Sequence, residues 1–256
     1  MSQSVIANAT GPIHAVVTGA SRGIGLALVR ALLASDSVVA VDALARHASR
    51  SPGLDALDST RLDRIDIDLA DAGAIDAYGQ DVRARGTRVQ LVIHAAGLLH
   101  EDGVQPEKAL ASIDSDALQR VFALNAFAPI LLARALQPAV PVDTPCVFAS
   151  LSARVGSIGD NALGGWYAYR ASKSAQNQFV RTLSIEWKRT RPRATCLLLH
   201  PGTVDTGLSQ PFRTGLRPAS LFDPDRAARQ LLDLIAQVTP ADTGRFIAWD
   251  GRDIPW

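Results

Sequence analysis

The chain has few lysines, two cysteines and almost no net charge. The even charge and the few cysteines each argue against a class of function. It has 26 Lys and Arg residues against 25 Asp and Glu, which leaves a net charge of +1. A balance this even argues against a nucleic-acid partner. Cys146 and Cys196, the two cysteines, both lie in apolar runs typical of buried strands. We therefore expect two free buried thiols and neither a disulfide nor a metal site.

Long apolar runs and a leader pattern are also missing. Residues 1–13 have no basic start followed by an apolar run, as a secretory signal would require. No stretch approaches the roughly 20 apolar residues that a membrane-spanning helix needs. We expect a cytoplasmic protein without a membrane partner.

The remaining pattern alternates short apolar runs with longer amphipathic ones. It predicts strands at His14–Thr18, Val38–Val41, Arg64–Leu69, Val89–Ile93, Cys146–Ala149, Thr195–Leu199 and Phe246–Ala248. Helical spacing covers Asp116–Leu136, Tyr169–Lys188 and Asp225–Gln237. This alternation predicts an α/β fold, a single-domain Rossmann-type doubly wound parallel sheet of about seven strands with helices on both faces. The domain would span residues 14–256 after an N-terminal tail, residues 1–13.

Three segments read as loops, at Ala48–Asp58, Leu98–Lys108 and Gly207–Phe222. The third is rich in Gly, Pro and Ser and is long enough to act as a mobile lid over a substrate.

A glycine-rich turn follows the first predicted strand. Gly19, Gly23 and Gly25 are spaced Gly-x-x-x-Gly-x-Gly, and a helical pattern begins at Ile24. A strand, a glycine turn and a helix start together present free backbone N–H groups to a pyrophosphate. The motif alone is weak, because many glycine turns are only tight connections. Its place after a buried strand favours a dinucleotide site.

A tyrosine and a lysine share one face of a later helix. The chain has only three lysines, and Lys173 stands four residues after Tyr169, which puts the two side chains on the same helix face. A phenol with a pKa near ~10 is a poor acid–base catalyst at neutral pH, and a neighbouring cation would lower that pKa. Tyr167 is a rival phenol, but Ala171 occupies the position four residues after it.

From end to end, the chain resembles the short-chain dehydrogenase/reductase family. The matching segments, in family order, are residues 18–25, 94–97, 124–125, 169–173 and 201–206. Residues 154–158 with 164–167, and residues 249–256, are similar to a carbonyl-reductase branch that includes C-factor-like and Sniffer-like proteins.

The resemblance implies a catalytic group of Asn125, Ser152, Tyr169 and Lys173. Tyr169 would be the general acid in reduction and the base in oxidation. Lys173 would lower the pKa of Tyr169 and hydrogen-bond the nicotinamide ribose. Pro129 has no N–H to bond the Asn125 carbonyl, so the helix should kink there and leave that carbonyl free for a proton-relay water. The alternative is a simple proline kink with a solvated Asn.

The serine departs from the family pattern. The family's catalytic serine stands three residues before a glycine, and counting back from Gly156 gives Ala153, with Ser152 one residue earlier and Ser150 two before that. A one-residue slip in a strand normally turns the side chain to the other face. Only a bulge or the end of the strand could bring Ser152 into the site, and we expect Ser152 to orient the substrate carbonyl.

The cofactor choice is contested. Asp42 would close the second strand, where a carboxylate binds the adenosine ribose and repels a 2′-phosphate, and this favours NAD(H). Arg22 and Arg46 could instead pair with the 2′-phosphate of NADP(H), although Ala43 stands where the related reductases have Arg. We expect NAD(H) over NADP(H).

The resemblance assigns the other cofactor contacts by position. They are Gly19, Ser21, Arg22, Gly23, Ile24, Gly25, Asp68, Leu69, Ala95, Ala96, Gly97, Tyr169, Lys173, Pro201, Gly202, Val204 and Thr206. His94 replaces the family's usual Asn, and we expect it to be a structural hydrogen-bonding group.

We therefore expect an NAD(P)-dependent oxidoreductase acting on a small uncharged carbonyl or alcohol. Trp166 would line the substrate pocket or lie instead in the core or a subunit contact. The alternative is a dinucleotide-binding regulatory or signalling protein of the same fold with little turnover. The apolar faces of Asp116–Leu136 and Tyr169–Lys188 favour a homodimer or homotetramer.

Overall fold

The computed structural model describes residues 4–212 and 221–256. The strands are β1 (Ile13–Thr18), β2 (Val38–Ala45), β3 (Leu62–Asp66), β4 (Leu91–His94), β5 (Cys146–Leu151), β6 (Ala194–His200), β7 (Thr203–Val204), β8 (Leu221–Phe222) and β9 (Arg245–Ala248). The α-helices are α1 (Gly23–Leu33), α2 (Pro52–Asp55), α3 (Ala72–Ala84), α4 (Ser115–Phe122), α5 (Ala128–Leu136), α6 (Tyr167–Thr190) and α7 (Pro224–Ile235).

Seven strands form one parallel sheet in the order β3-β2-β1-β4-β5-β6-β9. The order reverses between β1 and β4, so this sheet has the switch point at which doubly wound folds bind nucleotides. The predicted fold class is confirmed.

Helices cover both faces of the sheet because its strands are apolar on both sides. On one face α1 packs beside α7, over a core that includes Leu28, Leu32 and Ile235. On the other face α3 packs beside α5, and α6 lies against β6, with Trp187 at the centre of the core. Cys146 and Cys196 are buried and free, as expected.

Several predicted boundaries shift. β2 continues to Ala45, four residues past its predicted end, and β3 ends at Asp66, before Asp68 and Leu69. The predicted tail is partly ordered, since Ile6 is buried in the core and β1 begins at Ile13. Residues 42–45, which the sequence pattern put beyond the strand, thus still pair within the sheet.

The long helix predicted at Asp116–Leu136 is interrupted. A π-helical segment, Ala123–Phe127, separates α4 from α5, and Pro129 stands in the first turn of α5. Ser115–Ala139 is the one run in the described ranges with the length and hydropathy of a membrane span, but 44% of its most apolar window is buried in the protein.

Two predicted loops carry short structure. Residues 48–58 contain a 3₁₀ turn, Ala48–Arg50, and helix α2. In the predicted lid, Gln210–Phe212 forms a turn, and β8 pairs with β7 just beyond β6. Residues 213–220 of the predicted lid lie outside the described residues.

Candidate functional site

The glycine turn after β1 brings backbone close to backbone. Gly19 has φ +65°, and a Cβ there would lie 2.8 Å from the Ala96 amide nitrogen. Gly23 also has a positive φ, and its Cβ would come 3.0 Å from the Thr206 methyl group. Only glycine fits both the conformation and the space. The glycine turn therefore packs the start of α1 closely between the ends of β1 and β4.

Thr18 joins these two strand ends. Its hydroxyl oxygen accepts hydrogen bonds from the amides of Ala95 and Ala96 at 3.1 and 3.2 Å, and it hydrogen-bonds His94 Nδ1 at 3.1 Å. Burial, and then the charge of nearby Lys173, lower the pKa of His94 to about 3. His94 is thus a neutral, buried imidazole, in keeping with the structural role expected of it.

Asp42 does not close β2, so the predicted placement is wrong. It lies inside the strand, is fully buried, and accepts hydrogen bonds from Tyr78 at 2.8 Å and Arg85 at 3.0 Å. Its other oxygen bonds His14 Nε2 at 2.7 Å. Although burial by itself raises the Asp42 pKa, these partners lower it overall. A carboxylate satisfied within the fold is not offered to a ribose.

The residue that follows β2 is Arg46. Its guanidinium is largely exposed and lies 3.8 Å from a Glu101 carboxylate oxygen. Since β2 is parallel to β1 and adjacent to it, Arg46 follows the strand end at the same edge of the sheet as the glycine turn. Ala43, which the sequence pattern put just after the strand, lies within β2. The position that follows the strand belongs to Arg46.

The other predicted cofactor contacts follow strand ends at that edge. Asp68 is exposed and caps the Ala70 amide, whereas Leu69 is buried in the core. Pro201 and Gly202 follow β6, and Val204 is buried in β7. Ser21, Arg22 and Ile24 belong to the turn and the first residues of α1.

Tyr169 and Lys173 lie one turn apart near the start of α6, both buried. The Lys173 ammonium is 5.8 Å from the centre of the Tyr169 ring. It donates to the Leu151 carbonyl at 2.8 Å and to Gln176 Oε1 at 2.9 Å. Among the described residues none hydrogen-bonds the Tyr169 hydroxyl, which leaves that group available to a ligand.

The expected effect of Lys173 on Tyr169 is not found. Burial raises the pKa of Tyr169 to about 12 and lowers the pKa of Lys173 to about 7. Burial disfavours both charged forms, and the amine faces Leu151 and Gln176. In this arrangement the phenol holds its proton.

Asn125 lies in the π segment, where the proline kink was predicted. Its side chain accepts from the Leu98 amide at 2.7 Å and donates to the Leu98 carbonyl at 2.8 Å. Asn125 therefore fixes the chain just beyond β4. A Cβ on Gly97 would lie 3.5 Å from Asn125 Oδ1 and 3.8 Å from Lys173 Nζ. Gly97 thus lies within van der Waals reach of both the Asn125 and the Lys173 side chains.

Ser152 does not have the predicted orientation. Its buried hydroxyl donates to Asn177 Oδ1 at 2.6 Å, and Asn177 donates in turn to the Gly156 carbonyl at 3.2 Å. Asn177 is eight residues beyond Tyr169, or ~12 Å along the axis of α6. Ser152 holds the 154–156 turn against the helix, so the predicted orienting role is contradicted.

Glu107 was missed because it lies in a predicted loop without a capping motif. It is 4% exposed, and its carboxylate accepts from the Ala168 amide at 3.2 Å. Its carbonyl accepts from the Trp166 amide at 2.6 Å. Trp166 provides no side-chain cap for α6, so Glu107 caps the catalytic helix from another segment.

Aromatic rings form one side of the space beside Tyr169. Trp166 has φ +54°, and its ring centre is 6.2 Å from that of Tyr169 and 4.9 Å from that of Phe212. His100 packs edge-on to Phe212 at 5.7 Å. Trp166 thus lies next to both Tyr169 and Phe212.

Comparisons with known proteins agree with this geometry. The family model described as short chain dehydrogenase matches residues 13–217. The C-signal protein of Myxococcus xanthus is 35% identical over 149 residues, covering 58% of this chain and 84% of its own.

Two solved structures share the whole fold. The NADPH-bound carbonyl reductase from chicken fatty liver has a TM-score of 0.84 at 25% identity, covering 97% of this chain and 96% of its own. The carbonyl reductase Sniffer of D. melanogaster has a TM-score of 0.82 at 26% identity, covering 96% and 100%. The chain belongs to the short-chain dehydrogenase/reductase family, as an oxidoreductase of carbonyl and alcohol groups with a nicotinamide dinucleotide cofactor.

Proposed function

We propose that the chain is an NADPH-dependent carbonyl reductase in which Tyr169 protonates the carbonyl oxygen. The observation that carries this proposal is the buried Tyr169 hydroxyl, which has no partner in the described ranges and lies beside Lys173. A phenol with a pKa raised to about 12 is protonated at neutral pH. The group therefore carries the proton that reduction needs, and efficient transfer requires that the bound cofactor and substrate bring its pKa closer to neutral pH.

When bound, the reduced nicotinamide supplies a hydride to the carbonyl carbon. The residues of the chain do the rest: Tyr169 holds the carbonyl oxygen and gives it a proton, and Trp166 and Phe212 exclude water from that side. Lys173, whose pKa burial lowers to about 7, can change protonation near neutral pH. Its ammonium lies 5.8 Å from the centre of the Tyr169 ring, and we propose that it returns a proton to Tyr169.

Asn125 is the proposed link between Lys173 and solvent. The π segment interrupts the α-helical hydrogen bonds at this residue, and its side chain holds Leu98 beyond β4. A π-bulge leaves backbone carbonyls differently placed from those of a regular helix. We propose that the Asn125 carbonyl accepts a hydrogen bond from a relay water.

The preference for NADP(H) reverses the expectation from sequence. Asp42 is committed to His14, Tyr78 and Arg85, and the residue following β2 is Arg46. A guanidinium at this place would pair with a 2′-phosphate. The carbonyl reductase of similar fold from chicken fatty liver is NADPH-bound.

A second candidate function is a regulatory or signalling protein with little turnover. The similarity to C-signal favours it, as does the engagement of Ser152 with Asn177. Under this proposal the nucleotide would bind, but its hydride would not be transferred at a useful rate.

The assembly proposed is a homodimer or homotetramer. Phe127 in the π segment is 45% exposed and Ile185 on α6 is 50% exposed, while the ring of Phe179, also on α6, lies 6.4 Å from that of Phe127. Apolar groups on neighbouring helices favour a contact with a second copy. Size-exclusion chromatography with light scattering would give the mass of the assembly and so the number of copies in it.

The test of function compares two tyrosines. Tyr169→Phe should lower the reduction rate by roughly 10²–10⁴-fold, the usual contribution of a general acid, and leave NADPH binding unchanged. Tyr167→Phe, at a 42% exposed phenol two residues away, is the matched control and should retain activity. Tight NADPH binding without turnover of any carbonyl by the wild-type protein would favour the regulatory candidate.

A further inference from the structure

The residue after Ser152 carries no hydrogen-bonding side chain. Ala153 has extended backbone angles, φ −143° and ψ 149°. Because side chains alternate along an extended chain, and Ser152 faces Asn177, the Ala153 methyl group points to the other side. Residues 146–152 are all buried, whereas Ala153 is partly exposed. Ala153 is therefore the first residue of this segment that is not fully buried, and its methyl group is directed away from Asn177.

The register at Ala153 is fixed by the turn that follows it. The Gly156 amide donates to the Ala153 carbonyl at 2.8 Å. A Cβ on Gly156 would lie 2.8 Å from the Lys173 Cβ, so this turn packs directly against the catalytic helix. The family's catalytic serine stands three residues before such a glycine. Ala153 occupies that position, with a methyl group in place of a hydroxyl.

Neighbouring serines do not replace the missing group. The Ser152 hydroxyl is committed to Asn177, and the Ser150 hydroxyl accepts from Gln176 at 2.6 Å. Both lie on the side of β5 that faces the middle of α6, beyond Lys173. Of these groups only the Tyr169 hydroxyl is left to hold a carbonyl oxygen.

We propose that residue 153 limits the reactivity of this site, because Ala153 puts a methyl group where a second hydroxyl donor to the carbonyl oxygen would stand beside Tyr169. Turnover is then confined to carbonyls made electron-poor by their own substituents, such as 1,2-diketones and nitro-substituted aryl ketones. This inference rests on the proposed function and names the substrate class of the same site.

The chemistry explains the restriction. As hydride adds to the carbonyl carbon, the C=O π bond breaks and its electrons move to oxygen, which takes the proton of Tyr169. The ketone is reduced to an alcohol and NADPH is oxidised to NADP⁺. A second donor to the developing oxyanion is worth roughly 10²–10³-fold in rate. Without one, electron-withdrawing substituents must stabilise that charge.

The experiment measures hydride transfer in single turnovers with NADPH and a series of para-substituted acetophenones. In the wild-type protein the rate should rise steeply with electron withdrawal. Ala153→Ser should raise the rate for unsubstituted acetophenone by about tenfold, part of a full donor's effect, and change the nitro ketone less. Ala162→Ser, which adds a hydroxyl at an exposed residue, is the matched control and should change nothing.

Three outcomes overturn the inference: an equal gain for every ketone, no gain in a folded Ala153→Ser protein that binds NADPH, or a flat substituent series in the wild type. The wild-type series decides the matter even if the variant does not fold. If the wild-type protein reduces nothing, including a 1,2-diketone, the proposed function itself fails. Activity that depends on Tyr169 but has a flat series removes only the role of Ala153.

Discussion

The carboxyl ends of β2 and β5 can be compared directly, because each has a polar side chain bonded inside the fold and a different kind of residue exposed after it. Each strand has a polar residue near its end: Asp42 lies within β2, and Ser152 directly follows β5. The side chains of both are hydrogen-bonded to neighbours within the fold. In each case the first exposed or partly exposed residue comes later in the chain. After β2 it is Arg46, a cation, and after β5 it is Ala153, a methyl group.

The difference shows what a shift along a strand can do. At β2 the shift is four residues and exchanges an acid for a base, which is the basis of the proposed preference for NADP(H). At β5 it is one residue and turns the hydroxyl to the opposite side. A polar residue near a strand end is a functional group only if no neighbour already satisfies it.

The largest effect should come from Asp42. Asp42→Ala would leave His14, Tyr78 and Arg85 without their shared partner, and we expect the free energy of unfolding to fall by about 3 kcal/mol. The ratio of NADPH to NADH affinity should not change. Asp63→Ala is the matched control, since the 65% exposed Asp63 carboxylate pairs with the same arginine. It should cost under about 1 kcal/mol. A change in the ratio of NADPH to NADH affinity in Asp42→Ala would show that Asp42 contacts the cofactor.

Ser152 should behave as a structural residue. Ser152→Ala would leave Asn177 Oδ1 without its donor, at a cost of about 1–3 kcal/mol in unfolding free energy, measured by urea denaturation. The single-turnover rate should fall by less than about tenfold, because the hydroxyl does not touch the carbonyl. A loss near 10³-fold in a protein of normal stability would make Ser152 catalytic after all.

Arg46 should govern the choice of nucleotide. Arg46→Ala would remove a charged hydrogen-bond donor to the 2′-phosphate, and we expect the Kd for NADPH to rise roughly 10- to 100-fold. The Kd for NADH should stay the same, and the two values come from fluorescence titration. Arg83→Ala, at an exposed residue of α3, is the control. An equal loss of both nucleotides would mean that Arg46 serves the adenosine generally.

A further test is the pH dependence at Tyr169. With a pKa raised to about 12 by burial, the fraction of phenolate grows about tenfold per pH unit below that value. Alcohol oxidation needs the phenolate, so its rate should climb through pH 7–10 without a plateau. Reduction needs the phenol and should stay level over the same range. A plateau in oxidation near pH 8 would show that ligand binding, or Lys173, lowers the Tyr169 pKa.

Much of the site could be read from local spacing. Gly19, Gly23 and Gly25 lie where their turn was predicted, and Tyr169 and Lys173 share a helix face because four residues make about one turn. Pro129 predicted the break at Asn125, which the structure has as a π segment. These features depend on backbone geometry within a few residues.

Other features depended on partners distant in the chain. Glu107 caps α6 from 61 residues away, and no motif in its own segment announces this. The burial that raises the Tyr169 pKa and lowers that of Lys173 comes from the packing of α6 against the sheet. Neither the Glu107 contact nor this burial can be read from a local pattern in the sequence.

The sequence by itself determined the alternation of strands and helices, the family, the glycine turn and the Tyr169–Lys173 pair, since hydrophobic period and residue spacing encode them locally. Only the tertiary structure decided which polar groups remain free. Asp42 and Ser152 are satisfied by His14 and Asn177, 28 and 25 residues away, and a hydrogen bond made inside the fold removes a group from chemistry outside it.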